Sequence, residues 1–175
     1  MPKVIEVEIP ETSKIRETLR VMDFADAYQA TLTDTQMSVQ EIYEAVFGDE
    51  PKWVSHLMNI RGKFAAVLGL KHDTDGIRVD AADVDGKKYQ VGKRIGFFTV
   101  QLVEPGELIV GDDDKHLNFR ISIYKSSWQG AQTVTVSTVV EIHNMLGKLY
   151  MLVVKPFHKR ISRAMLQRAV DAGRL

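Results

Sequence analysis

From Ile95 to Ile142, apolar side chains recur at every second position through Ile95–Val103, Glu107–Gly111, His116–Lys125 and Ala131–Ile142. The turn sequences Pro105-Gly106, Asp112–Lys115 and Trp128-Gln129-Gly130 separate these runs. A period of two is that of a strand buried on one face, so the stretch is expected to be an antiparallel meander. After Asn144, placed to cap a helix, the pattern becomes helical, with Leu146, Tyr150, Val153, Phe157, Ile161, Ala164 and Met165 as its apolar stripe. Pro156 should kink that helix, because it lacks an amide donor. A one-faced sheet followed by a long amphipathic helix points to an α+β fold in which the curved antiparallel sheet wraps the C-terminal helix.

The first half supplies fewer signals. Val4 to Ile9 alternates and stops at Pro10, which reads as a short strand, and Glu11–Arg20 is polar and weakly helical. Phe24–Leu32 alternates again, with Phe24, Asp26, Tyr28, Ala30 and Leu32 on one face, so an acid stands on the apolar side. Ser38 with Glu41 three residues later forms a capping box for a helix ending at Gly48. Pro51 suits the first turn of a second short helix, with Val54, Leu57, Arg61, Phe64, Ala65 and Leu68 at helical spacing up to Gly69. Asp85-Gly86 predicts a hairpin between Ile77–Val84 and Lys88–Val91. Residues 1–175 are read as one domain, with 1–23 an N-terminal extension carrying the short strand.

Parity constrains the sheet further, since a one-residue slip would turn every side chain to the other face. Pairing Leu108 with Phe119 and Val110 with Leu117 gathers Phe98, Val100, Leu102, Ile121, Ile123, Val134, Val136 and Val140 on the core side. Glu107, His116, Asn118, Arg120, Ser122, Thr133, Thr135 and Ser137 fall on the other, which is expected to face water. In this register Glu107 opposes Arg120, an ordinary cross-strand ion pair. Chemistry on that face would need a cover, such as a second subunit in a homodimer.

Composition removes several functions. Lys plus Arg and Asp plus Glu are both 23, so no whole-molecule field draws the chain to nucleic acid or an anionic surface. Cysteine is absent, which excludes disulfides, thiolate nucleophiles and Cys-ligated zinc and fits a cytoplasmic address. No signal peptide is expected, because Ile5, Val7 and Ile9 alternate with Glu6 and Glu8 instead of forming an apolar run behind a basic segment. No stable membrane insertion is expected, because no apolar run approaches about 18 residues. His56, His72, His116, His143 and His158 lack metal spacing, and the Asp-rich turns lack a bidentate glutamate, so no metal is expected. Neither a Gly-x-Gly-x-x-Gly fingerprint, a phosphate loop nor a Gly-x-Ser-x-Gly elbow occurs, and no cofactor is expected.

Several phrases carry a family resemblance: Phe24-Ala-Asp26-Ala-Tyr28, Pro51-Lys-Trp53 through Arg61 to Gly69-Leu70, and Gly92-x-x-x-Gly96-Phe97-Phe98. Others are Glu107-x-x-x-Gly111-x-Asp113-x-x-His116-Leu-Asn-Phe-Arg120, Thr138-x-Val140-x-x-His143-Asn144-x-x-Gly147-x-x-Tyr150 and Val154-x-Pro156-Phe157-His158. Together they resemble an uncharacterised bacterial family, domain of unknown function 2867, over roughly Phe24 to Met165. The resemblance implies the helix-grip fold of the START-like superfamily, which holds birch-pollen-allergen-like proteins and polyketide cyclases (SRPBCC). It implies an interior cavity as well, and brings no catalytic residues.

Arg61 interrupts an apolar stripe and needs an acid, which Asp26 can supply either as a fold-fixing pair or as part of a ligand anchor. Tyr28, Tyr150 and His143 complete the candidate set. The leading expectation is a noncatalytic binder of a small, largely apolar ligand between sheet and C-terminal helix. A cyclase- or hydrolase-like enzyme using Tyr150, His143 or an Asp is the alternative, and an interaction partner of a reductase the third. The helix cations Lys148, Lys155, Lys159, Arg160, Arg163 and Arg168 read as a solvated face, with anionic-lipid contact as the alternative.

Overall fold

The computed structural model describes residues 4–48, 88–96, 98–128 and 130–175. In chain order these form β1 (Ile5–Glu6), a 3-10 turn (Lys14–Glu17), β2 (Phe24–Thr31) and α1 (Val39–Phe47). After them come β3 (Arg94–Ile95), β4 (Phe98–Glu104), β5 (Glu107–Asp113), β6 (Leu117–Trp128), β7 (Ala131–Ile142) and α2 (Met145–Asp171). The strands make one seven-stranded sheet in the order β1-β2-β7-β6-β5-β4-β3, antiparallel throughout. Packing of α2 against this sheet gives the helix-grip arrangement.

Local chemistry explains the element ends. Ser38 Oγ accepts from Glu41 N at 3.3 Å while the Glu41 carboxylate accepts from Ser38 N at 2.8 Å. The expected capping box is therefore formed, and such a cap is worth about 1 kcal/mol. Asn144 caps α2 by accepting from Gly147 N at 3.1 Å. The helix runs through Pro156, which lies exposed on its outer side.

The main core lies between the sheet and the two helices. Tyr28, Val110, Ile123 and Val136 of the sheet meet Ile42 and Val46 of α1 and Met165, Leu166 and Ala169 of α2. Ile42, Val110, Ile123 and Leu166 have no exposed surface, and each such side chain contributes about 1.5–3 kcal/mol by leaving water. A second cluster joins Phe24, Leu117, Val140, Tyr150 and Met151.

The opposite face is not wet. After β1 the chain folds back across it, so that Ile9 and Ile15 pack on Ala27, Ile109 and Val139, with Val7 and Leu19 at the margin. Glu107, Arg120, Ser122, Thr133, Thr135 and Ser137 are all buried. The cover is the chain's own N-terminal segment.

The register differs from the expected one by four residues. Leu108 pairs with Ile123 and Val110 with Ile121, so Glu107 opposes Tyr124, and Arg120 opposes Gly111. An even shift leaves the faces unchanged and replaces every partner. Asp112 and Asp113, expected in the turn, are drawn into β5 because each finds a partner there. Thr99 Oγ1 donates to Asp112 at 2.6 Å, and Arg120 pairs with Asp113 at 2.7 Å. A bulge between Val100 and Leu102 transfers Leu102 to the N-terminal side.

Other expectations also change. The run Ile95–Val103 is two strands, folded back where Ile95 pairs with Phe98 and Gly96 takes φ +57°. Lys88–Val91 is bend and turn rather than strand. Along α2, Val153 and Phe157 turn to solvent, while Met151 and His158 face the sheet. The second helix with Arg61 and the hairpin before Lys88 lie outside the described residues.

Candidate functional site

Alternation along β2 sends Phe24, Asp26 and Tyr28 toward α2, flanking a carboxylate with two aromatic rings. Asp26 pairs across the sheet with Thr138, which is also buried. From above, His158 of α2 brings Nε2 to 3.5 Å from Asp26 Oδ1. The imidazole stands edge-on to the Phe24 ring, centroids 5.7 Å apart, and Lys155 Nζ lies 5.4 Å from the centroid of that ring. Ser162, one helical turn beyond His158, places Oγ 3.2 Å from the same Nε2.

The Asp26 side chain is 1% exposed, yet among the described residues no donor forms a hydrogen bond to either oxygen. A carboxylate withdrawn from water without donors is costly, and native structures rarely keep one without a reason. Glu107 supplies the contrast on the other face. It accepts from Ser13 Oγ and Ser122 Oγ at 2.5 Å each and from Lys14 N at 2.8 Å. Glu107 is thus a fully satisfied structural acid, whereas Asp26 is a buried acceptor left open.

Tyr28, two residues on, is 3% exposed. Burial first, then the charges of Asp26 and Glu6, push its hydroxyl up to about 12, with Arg163 opposing. The phenol therefore remains a protonated donor at neutral pH. Tyr150 is buried in the adjoining cluster with Phe24. His143 is exposed at the start of α2, where its amide donates to His116 O at 3.0 Å, and it does not reach this group. Arg61 lies outside the described residues; among those described, His158 is the basic side chain that meets Asp26.

Ser162 carries no signal of its own in the sequence, while His158 and Thr138 stand in the family phrases but outside the candidate set. The spacing of four between His158 and Ser162 is legible, but the expected apolar stripe runs through Phe157, one residue away. Asp26, His158 and Ser162 look like a relay, but Asp26 and Ser162 both address Nε2. A relay needs the carboxylate on one ring nitrogen and the hydroxyl on the other, so this arrangement does not activate the serine.

Among the described residues no cluster of three metal-ligating side chains occurs. In the acidic turn, Asp114 accepts from Lys115 N and His116 Nδ1 lies 3.2 Å from Asn144 Oδ1. Each group there is already engaged. A pocket of about 560 Å³ opens beside the end of α2, lined by Thr33, Asp34, Met37, Glu41, Arg174 and Leu175. Asp34 bonds Gln36 N and Glu41 belongs to the capping box, so its acids are occupied too.

A family model described as "Protein of unknown function (DUF2867)" matches residues 18–165. No curated protein matches the chain.

Proposed function

The chain belongs to that family of unknown function, and from this premise we propose that the domain is a noncatalytic binder of a small, largely apolar molecule held between the sheet and α2. The observation that carries this reading is Asp26, buried with both oxygens lacking a hydrogen bond among the described residues. An acceptor without donors selects a ligand whose polar end is a donor, such as an amine or a hydroxyl. Phe24, Tyr28 and Tyr150 supply apolar wall, and His158 is the side chain that an entering donor displaces. The START-like resemblance and a cytoplasmic address fit the same reading. An acid–base enzyme is less well supported, because His143 stands apart and Asp26 and Ser162 share one nitrogen of His158.

Thermal unfolding with dodecylamine, dodecanol and dodecanoate below their micellar concentrations tests the proposal. The amine or the alcohol should raise the melting temperature, the carboxylate should not, and Asp26→Asn should abolish the amine effect. Equal stabilisation of wild type and Asp26→Asn, or stabilisation by dodecanoate alone, would remove Asp26 as the anchor.

A further inference from the structure

The outer face of α2 is unusual for a surface helix. Met145, Leu149, Leu152, Val153 and Phe157 are 39–74% exposed, and their spacing places them on one side of the first half of the helix. Pro156 shares that side and is exposed too. Asp23 accepts from Ile142 N at 2.7 Å, which fixes the exposed Val21 and Met22 at the end of the sheet from which α2 departs.

Charge on the helix is one-sided. Lys148 and Lys155 border the apolar strip, and Lys159, Arg160 and Arg163 follow it, while the first acid of α2 is its last residue, Asp171. Lys159 pairs with Glu6. Lys148, Lys155, Arg160 and Arg163 form no ion pair among the described residues.

We propose that this face of α2 docks onto an anionic lipid surface, Leu149, Leu152 and Phe157 entering the interface and the cations meeting the headgroups. An exposed apolar ridge bordered by Lys and Arg is the pattern of a helix that lies in a membrane interface, and each cation near an anionic leaflet strengthens partitioning by about fivefold. No helix among the described residues is long and apolar enough to cross a membrane. The contact is therefore peripheral. A second copy fits the charge less well, because twofold pairing of α2 would set cation against cation without an acid between them. A convex ridge also suits a deformable surface better than a rigid partner. The inference does not rest on the ligand reading above.

Vesicle co-sedimentation of the full chain is the test, comparing phosphatidylcholine alone with phosphatidylcholine containing about 30% phosphatidylserine. Binding to the mixed vesicles should exceed binding to the neutral ones by about tenfold or more and weaken as salt rises from about 0.1 to 0.5 M. The double variant Leu149→Asp/Leu152→Asp should lose at least about tenfold in binding and the charge variant Lys148→Glu/Arg160→Glu at least about 25-fold. Val91→Asp, at an exposed position outside α2, should bind like wild type. Circular dichroism melts confirm that each variant is folded. Equal binding to both vesicle types, or undiminished binding by the leucine variant, would overturn the proposal. So would a dimer in sedimentation velocity that the leucine variant dissolves, or an acidic amphipathic peptide bound in the absence of vesicle binding.

Discussion

Oδ1 of Asp26 stands 3.5 Å from Nε2 of His158, and among the described residues no donor forms a hydrogen bond to either carboxylate oxygen. On the other side of the same sheet Glu107 accepts three. These two buried acids define what is structural in this protein and what is held open, and they should respond oppositely to substitution.

Asp26→Asn replaces a carboxylate that lacks donors by a neutral amide of the same shape. Its desolvation cost is smaller, so the variant should be more stable by about 1–2 kcal/mol, equivalent to a melting temperature about 2–6 °C higher. Urea unfolding measures this, and a loss of stability would show that the contact with His158 outweighs the cost of burial.

Glu107→Ala strands Ser13 Oγ, Ser122 Oγ and the Lys14 amide together. The expected loss is about 3–5 kcal/mol, since each of the three hydrogen bonds to a charged acceptor is worth about 1.5–3 and removal of the carboxylate's own desolvation cost offsets part of their sum. Limited proteolysis should then open residues 9–19 before the rest of the domain. Uniform loss of stability with this segment still protected would deny its role as a strap latched by Glu107.

Gly147→Ala tests the junction between α2 and the β5–β6 turn. A Cβ at this position meets His116 O at 2.2 Å and Ile142 Cγ2 at 2.9 Å. Alanine favours helix by about 1 kcal/mol, but the backbone contact forces α2 away from the sheet. We expect net destabilisation of about 2 kcal/mol or more in denaturant titration. A stabilised variant would mean that the helix start is free to move.

Tyr28 should titrate at about 12, against an ordinary value of 10.0. Between these values the folded chain keeps a proton that the unfolded chain has lost, so stability present below pH 10 declines as pH rises through that window. Absorbance titration of the phenolates should show a late step that Tyr28→Phe removes. Full phenolate formation near pH 10 in the folded protein would contradict the burial of this hydroxyl.

Much of this architecture follows from local patterning alone. Alternation from Ile95 onward assigns side chains to faces without knowledge of partners, because a strand's period is a property of its own backbone. The capping box at Ser38 and the Asn144 cap act within three residues, so they too are readable. Asp26 and Tyr28 could be selected because an acid inside an apolar alternation is conspicuous.

What the chain could not reveal locally is whatever depends on a distant partner. Parity is blind to an even shift, so only the tertiary pairing of Asp113 with Arg120 and Asp112 with Thr99 places the turn and separates Glu107 from Arg120. A helix rotated by one residue keeps much of its periodicity, so the close approach of Gly147 to His116 O decides that His158 rather than Phe157 faces Asp26. No pattern in Ser13 or Lys14 says that they cover a sheet face whose polar residues looked made for water. Sequence determined most of the described elements and the faces of most strand residues; long-range contacts, whose free energy exists only once the chain has folded, decided which groups meet.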